Sequence, residues 1–521
     1  MTDQLDSTTP PSTPEPVAAP PKDRLGANYF KLFGASTISN LGDGIGLIAY
    51  PWLASAVTRN PFLISLVAVV QRLPWLLFSL PAGVITDRND RRTLMVLANS
   101  IRAVLTLGVA FIVLGKQGVL PGPDEINDAA TDFATDHLLY VIVLLATLLM
   151  GFAEVLYDNS AQTFMPSIVH KQHLEKANGR LWSIEMVANT FVGPPLGALL
   201  LVAAFSVPFF FDAATFAVSA ALIALIPATK RRSKSRAVPA PGAPATGTPA
   251  TEHGAEGDQT PDHELAVGPR QSSRPAPGAP ATKHGVEGDQ TPDHEPAVSP
   301  RPSSWKDELR EGFAWLWSHD LLRPMAIILG LLNMLGTMSV ATMVLFAQEV
   351  LETTPTEFAL LETGGAIGGV IGGWTASRIA KKIGAGPSLS LTLTVGGATT
   401  CVMGIANSWY LVWLMFAIAM LVAVLWNVIT VSLRQSIIPD HLLGRVNSVY
   451  RFFAWGMMPL GAALGGLIVV LTDVWGSREL ALRMPFFIAG GLHFVVWAVA
   501  APKLTTAKIE AARAAAASDD D

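Results

Sequence analysis

GVITDRNDRR, residues 83–92, places a glycine, Asp87 and three arginines between two long apolar runs. Upstream, Pro61–Ile85 is almost wholly apolar apart from Gln71 and Arg72; downstream, Thr93–Gly115 is broken by Asn99, Ser100 and Arg102. At about 1.5 Å of rise per helical residue, runs of this length cross a hydrocarbon layer of roughly 30 Å. The decapeptide therefore reads as a tight turn at one membrane face. Charge alone would say no more, because short basic loops on the cytoplasmic side orient any multi-span protein.

The rest of the chain agrees. Half of the 521 residues are hydrophobic, 15% are charged and the mean hydropathy is +0.40, a composition outside that of soluble domains. The net charge of −5 is spread over tails and loops, with no basic face for nucleic acid. The single cysteine, Cys401, excludes an intrachain disulfide and a cysteine metal site; it reads as a small buried hydrophobe. Residues 1–27 are rich in Pro, Thr and acids, lack the apolar core of a signal peptide and read as a disordered tail. Residues 503–521 read as a short tail helix running into Asp519–Asp521.

Apolar runs predict six spans at 30–56, 61–85, 93–115, 138–158, 180–203 and 206–227, and six more at 323–347, 358–380, 388–407, 409–431, 447–471 and 482–501. This is an all-α polytopic membrane protein of twelve transmembrane helices: one six-helix half over 28–228 and another within 305–502. Lys22, Arg24, the turn at 88–92, Lys171, Lys176, Arg180, the cluster at 230–236 and the 378–382 turn fall on one side if the spans alternate. That side is cytoplasmic, and both termini lie there. Arg59, Arg478 and Arg483 are exceptions on the outer side.

Between the halves, 229–304 is Pro-, Ala-, Gly- and Thr-rich, and PAPGAPAT (239–246, 275–282) and EGDQTPDHE (256–264, 287–295) are each repeated. Such a segment cannot bury a core and reads as a cytoplasmic linker. Its His253, His263, His284 and His294 have no fixed geometry for a metal, and no metal site is expected. After it, Trp305, Leu309, Phe313 and Leu316 share one face of a helix expected to lie on the membrane surface, with a possible capping box from Ser304 to Asp307.

The two halves echo one another. Gly179, Arg180 and Ser183 recur as Gly444, Arg445 and Ser448; Gly83 and Arg88 recur as Gly373 and Arg378. A duplicated six-span unit accounts for matches at equivalent places in the span order.

On these residues the chain resembles the major facilitator superfamily: Gly83, Asp87, Arg88, Arg91 and Arg92 match its loop signature between the second and third helices, with Asp90 where the family has glycine. GPPLG at 193–197 resembles the fifth-helix signature of drug:proton antiporters, and SNLGDGIGLIAYPWLA (39–54), PWLLFSLPAGVITDR (74–88) and GRVNSVYRFFAWGMMPLGA (444–462) look like the branch of enterobactin and macrolide exporters. The resemblance covers about 25–228 and 305–502. It implies two pseudo-symmetric halves, alternating access through a central cavity, and efflux of drug-like or siderophore-like molecules from the cytoplasm in exchange for protons. It also implies a latch in which Asp87 faces the eleventh helix near Arg445, while Asp158 takes an arginine of the turn.

Gly193, Pro194 and Gly197 read as an antiporter-like kink or close helix contact. The glycines at 364, 365, 368, 369, 372 and 373 read as helix packing. Charges within spans are costly in hydrocarbon and face protein or a wet cavity. Asp43, Arg72 and Arg102 fall near mid-depth, Glu154 and Glu185 toward the cytoplasm, Asp212 and Glu362 near the outer face. Asp43, Arg72, Arg102, Glu154 and Glu185 are the candidates for proton coupling or substrate binding, with Asp43 alternatively a static partner of Arg72 or Arg102. No phosphate loop, nucleophile elbow, HExxH or CxxC is present, so no catalytic residue or cofactor is expected and the chain is not read as an enzyme. The expected partners are a small molecule, protons and the bilayer, with no nucleic acid, and the chain is expected to be a monomer. An importer, a lipid translocator or a transport-dead receptor using its linker are the competing readings.

Overall fold

The starts of the helices are written as side-chain caps. Asn60 Oδ1 accepts from the backbone N–H of Phe62 (2.9 Å), Asp136 Oδ1 from Leu139 (3.1 Å) and Ser477 Oγ from Leu480 (3.2 Å); each satisfies a donor left free in the first turn. Asp90 Oδ1 accepts from the Thr93 N–H at 2.8 Å with φ −70°. The residue at the family's glycine position is thus the cap of the next helix, at an ordinary backbone angle. Thr354 and Glu357 form a reciprocal capping box.

The computed structural model describes residues 25–122, 126, 135–227 and 305–519. Among them the helices are α1 (Ala27–Val57), α2 (Pro61–Arg88), α3 (Arg91–Gly115), α4 (His137–Ile168), α5 (Leu174–Met186), α6 (Gly193–Ala203) and α7 (Ser206–Ala224). After the linker come α8 (Trp305–Ser318), α9 (Leu322–Val340), α10 (Met343–Glu349), α11 (Pro355–Ile383), α12 (Ala385–Ile405), α13 (Trp409–Ile437), α14 (Asp440–Asp473), α15 (Arg478–Ala500) and α16 (Thr506–Asp519). No strand occurs among the described residues. The linker with its four histidines, the first 24 residues, and the side chains of Trp305, Asp307 and Leu309 lie outside the described residues, as does Ser304.

Among the described residues, ten segments are long and apolar enough to cross a membrane. The 31-residue α1 and 29-residue α11 are not among them, because α1 carries Asn40, Asp43 and several glycines, and α11 six glycines with Glu357 and Glu362. Both pack within the bundle, α1 against α6 and α7, α11 against α13 and α6. Three differences from the spans expected of the sequence are the largest. α4 continues ten residues past 158, since a helix need not end where the hydrocarbon does. The predicted 323–347 span is two helices broken at Ala341 and Thr342. The predicted 180–203 span is α5, a π-helical segment Val187–Val192, and α6.

That last break has a local cause. Pro194 and Pro195 lack backbone donors, and a wider turn absorbs the lost helical bonds. The same place is a close helix crossing: a Cβ on Gly44 would lie 2.5 Å from Asn189 O and 2.8 Å from Gly193 Cα, and one on Gly197 2.9 Å from Ile45 O. Gly44→Ala is therefore expected to force α1 from α6 and destabilise the protein by about 1–3 kcal/mol, read as a lower thermal midpoint; an unchanged midpoint contradicts this contact. In α11, Gly364, Gly368 and Gly372 face the α13 backbone, whereas a Cβ on Gly373 would meet open space.

Packing is unequal at the two ends of the bundle. At the end carrying Arg59, one apolar core joins residues of both sequence parts: Trp52, Leu53 and Ile64 with Leu345, Phe346, Phe358 and Phe486. Trp52 and Phe358 meet at 5.6 Å between ring centroids. At the end carrying the 83–92 turn the cores are separate, one around Tyr29, Met95, Phe164 and Ile223, the other around Leu316, Leu322, Leu433 and Val446. α8 belongs to the second: Leu316 is fully buried, and Gly312 lies so close to Arg445 that a Cβ would sit 2.7 Å from its backbone. His319 Nδ1 accepts from the N–H groups of Leu321 and Leu322 (3.2 Å each) where α8 passes into α9, and burial pushes its imidazole pKa down.

Candidate functional site

Four of the five intramembrane candidates converge on one cavity. Asp43 of α1, Arg72 of α2, Arg102 of α3 and Glu154 of α4 line a chamber of about 360 Å³, together with Tyr50, Gln71, Trp75, Met150, Asn189 and Asp212. The helices bring them there because α2 and α3 both pack on α4, and α1 packs on α6 and α7. Arg72 lies at a junction. It also lines a chamber of about 370 Å³ walled by Asn333, Phe416, Trp426, Asn427, Met458 and His493, and one of about 220 Å³ holding Glu362.

Within this cavity the charges are unequally tied. Asp43 accepts from Arg102 Nη2. Arg102 is 2% exposed; it also donates to Ser39 Oγ at 3.4 Å, and its guanidinium lies 3.9 Å over the Phe216 ring. A cation held by a carboxylate, a hydroxyl and a ring face is fixed in place. Of the two partners the sequence offered for Asp43, the structure pairs it with Arg102. Arg72 and Glu154 lie in one another's electrostatic field but have neither a hydrogen bond nor an ion pair among the described residues.

Asp212, expected near the outer face, joins the same cavity: it is 2% exposed and lines the chamber with Asp43, its Oδ1 accepting from Thr215 Oγ1 at 3.4 Å. Gly42 of α1 allows this: a Cβ there would overlap Thr215 and Asp212. Glu362, expected at the same depth, lines a chamber with Arg72. Glu185 stands apart, accepting from Ser36 Oγ at 2.7 Å.

At the turn end, Arg91 donates to Thr163 O (2.6 Å), and Arg92 donates to Ile223 O (3.3 Å) and to Ala224 O. Arg92 thereby caps the carbonyl end of α7, where a cation is favoured. The side chain of Asp87 lies outside the described residues, and the backbone at Gly83 has open space where a Cβ would sit. Arg445 pairs with Glu311 of α8. Asp158 lines a further cavity of about 270 Å³ with Trp75, Asn159, Gln162, Phe313 and Ser448. Trp75 stacks on Trp455 there (5.5 Å between centroids) and borders the charged cavity as well.

The opposite end holds a network that the sequence did not disclose. Arg59 of the α1–α2 loop donates to Gln348 Oε1 at 2.5 Å and lies 3.6 Å from Glu349. Arg478 of α15 donates to Glu349 (2.8 Å), Asp473 (2.9 Å) and Arg59 O (2.9 Å), and Gln348 donates to Ser55 Oγ at 2.9 Å. Arg59 and Gln348 are nearly excluded from solvent, at 7% and 1%. Arg483 is bound to Gly404 O (2.7 Å), Ala406 O (2.9 Å) and Asn407 Oδ1 (2.5 Å), with Glu479 at 2.9 Å. The three arginines that break the charge bias of the loops are all engaged in tertiary contacts. Their only sequence signal is that exception.

Known proteins carry related features. Residues 25–243 match the family described as transmembrane secretion effectors. A 174-residue stretch is 25% identical to the multidrug efflux pump Tap of Mycobacterium bovis and of Mycobacterium tuberculosis, covering 33% of this chain and 37% of the pump. The chain thus spans little more than a third of the length of these curated relatives. A bacterial homologue of the iron transporter ferroportin in an inward-facing state superposes with a TM-score of 0.59 at 13% identity, over 91% of this chain and 98% of the other. The nucleoside transporter NupG does so with 0.56 at 11% identity, over 92% and 99%. The charged decapeptide, the helical bundle around a charged cavity and these likenesses converge: this is a multi-pass membrane protein that shares the fold of these solved transporters and is similar over residues 25–243 to the transmembrane secretion effectors.

Proposed function

We propose that the chain is a proton-coupled exporter of small molecules, working by alternating access between two six-helix halves. In this reading α1 and α11 also cross the bilayer, giving twelve spans, with both termini and the linker in the cytoplasm of a bacterial cell. Buried polar residues do not argue against a span when they face a cavity instead of lipid. The end carrying Arg59 is then the outer face, held closed by a shared apolar core, and the turn end is cytoplasmic.

The observation that carries this reading is the imbalance of charge in the central cavity: three carboxylates, Asp43, Glu154 and Asp212, share it with two guanidinium groups, Arg72 and Arg102. Net charge within a membrane protein is costly, so one carboxylate is served by a proton or by a cationic group of a guest. Exchange of one for the other is antiport. The likeness to Tap, a multidrug efflux pump, supports export over import.

Cells producing the protein should accumulate less of some cationic or zwitterionic compounds of a drug panel than cells producing Glu154→Gln. A protonophore should abolish the difference. Higher accumulation in the producing cells would support import instead.

A further inference from the structure

We infer that Arg72 anchors an acidic group of the transported molecule while Glu154 receives a basic group, so that the substrates are zwitterions with an apolar body. This rests on the reading of the cavity as the transport site. It follows from sorting the five charges. Asp43 and Arg102 pair with each other, and Asp212 Oδ1 accepts a hydrogen bond from Thr215 Oγ1 at 3.4 Å. Arg72 and Glu154 are left, in the same chamber, with neither hydrogen bond nor ion pair among the described residues. An unpaired charge inside a membrane protein is costly, and each is best relieved by an opposite charge from a guest.

A purely cationic guest would satisfy Glu154 and be repelled by Arg72; a purely anionic one would do the reverse. A zwitterion satisfies both. Arg72, with its planar donors, suits a carboxylate. Its place at the meeting of three chambers lets the acid sit there while the body extends between Phe416, Met420, Trp426 and Met458, walls whose methionines adapt to different shapes. Glu154 links binding to protons. As the ammonium of the guest docks, a proton held by Glu154 leaves to water, so that proton and guest exclude each other at one carboxylate.

The test uses ciprofloxacin, a fluorescent zwitterion, with its methyl ester, which lacks the acid, and its N-acetyl derivative, which lacks the basic amine. Binding to the purified full-length protein is followed by fluorescence anisotropy. The wild type should bind ciprofloxacin about tenfold or more tighter than either derivative. Arg72→Gln should erase the advantage over the ester but keep that over the N-acetyl compound; Glu154→Gln should do the opposite. Arg72→Lys should retain part of the ester discrimination, separating loss of charge from loss of fold. An unchanged acid-to-ester ratio in Arg72→Gln overturns the inference, as does equal or absent binding of all three by the wild type. Everted vesicles separate the two readings: transport of the three compounds without discrimination leaves the exporter standing and removes the anchor. Discriminating binding with no transport keeps the anchor and removes the exporter.

Discussion

Replacing Glu349 by glutamine is expected to open the end of the molecule that Arg59 and Arg478 hold shut. Glu349 is the one carboxylate the two arginines share, at 3.6 Å and 2.8 Å, and only 10% of its side chain is exposed. The contacts cross between sequence parts: Arg59 lies in the first, Gln348, Glu349 and Arg478 in the second. Removing the charge leaves two guanidinium groups facing each other in a partly desolvated site, a loss of about 3–5 kcal/mol for a buried pair. In an alternating-access protein that loss falls on the state in which the network is formed. At about 1.4 kcal/mol per tenfold change, it shifts the balance of states on the order of a hundredfold or more. Spin labels at Phe62 and Leu480, in a Cys401→Ser background, report it. Their separation should lengthen in Glu349→Gln; an unchanged distance distribution means the apolar core alone closes this end.

The second large effect is expected at Asp43. Its partner Arg102 is buried against Phe216 and cannot turn to water, so Asp43→Asn leaves a guanidinium short of its carboxylate. The expected cost is again about 3–5 kcal/mol, seen as reduced expression and a lowered thermal midpoint. Arg102→Gln in the same chain should recover much of the loss, because two neutral amides remove the unpaired charge; the non-additivity of the two changes measures the pairing. If Asp43→Asn instead folds normally and loses only pH-driven transport, Asp43 is the coupling carboxylate and Glu154 is not.

The sequence carries the helical architecture well because membrane helices must be long, apolar and internally hydrogen-bonded, and few other patterns meet those demands. It also singles out Asp43, Arg72, Arg102 and Glu154 as charges within spans, costly in hydrocarbon, but that the four line one cavity is seen only in the folded structure. Counting along one span gave no sign that Asp212 shares a cavity with Asp43, which depends on α7 packing on α1 through the gap left by Gly42. The Arg59–Gln348–Glu349–Arg478 network was illegible for a different reason. Its members are 289 and 419 residues apart at the Arg59–Gln348 and Arg478–Arg59 contacts, and nothing local marks them as partners. The π-helical segment before Gly193 falls between: Pro194 and Pro195 announce a disturbance, but its form depends on the approach of Gly44.

Proton-coupled export through the charged cavity is tested most directly with the purified protein in proteoliposomes. A pH gradient, acid inside, is imposed, and ciprofloxacin uptake is followed together with proton efflux from a pH-sensitive dye. The account predicts uptake coupled to proton movement in the wild type, abolished by collapsing the gradient and by Glu154→Gln. Uptake that ignores the gradient, or a Glu154→Gln protein that still moves protons with the compound, would contradict it.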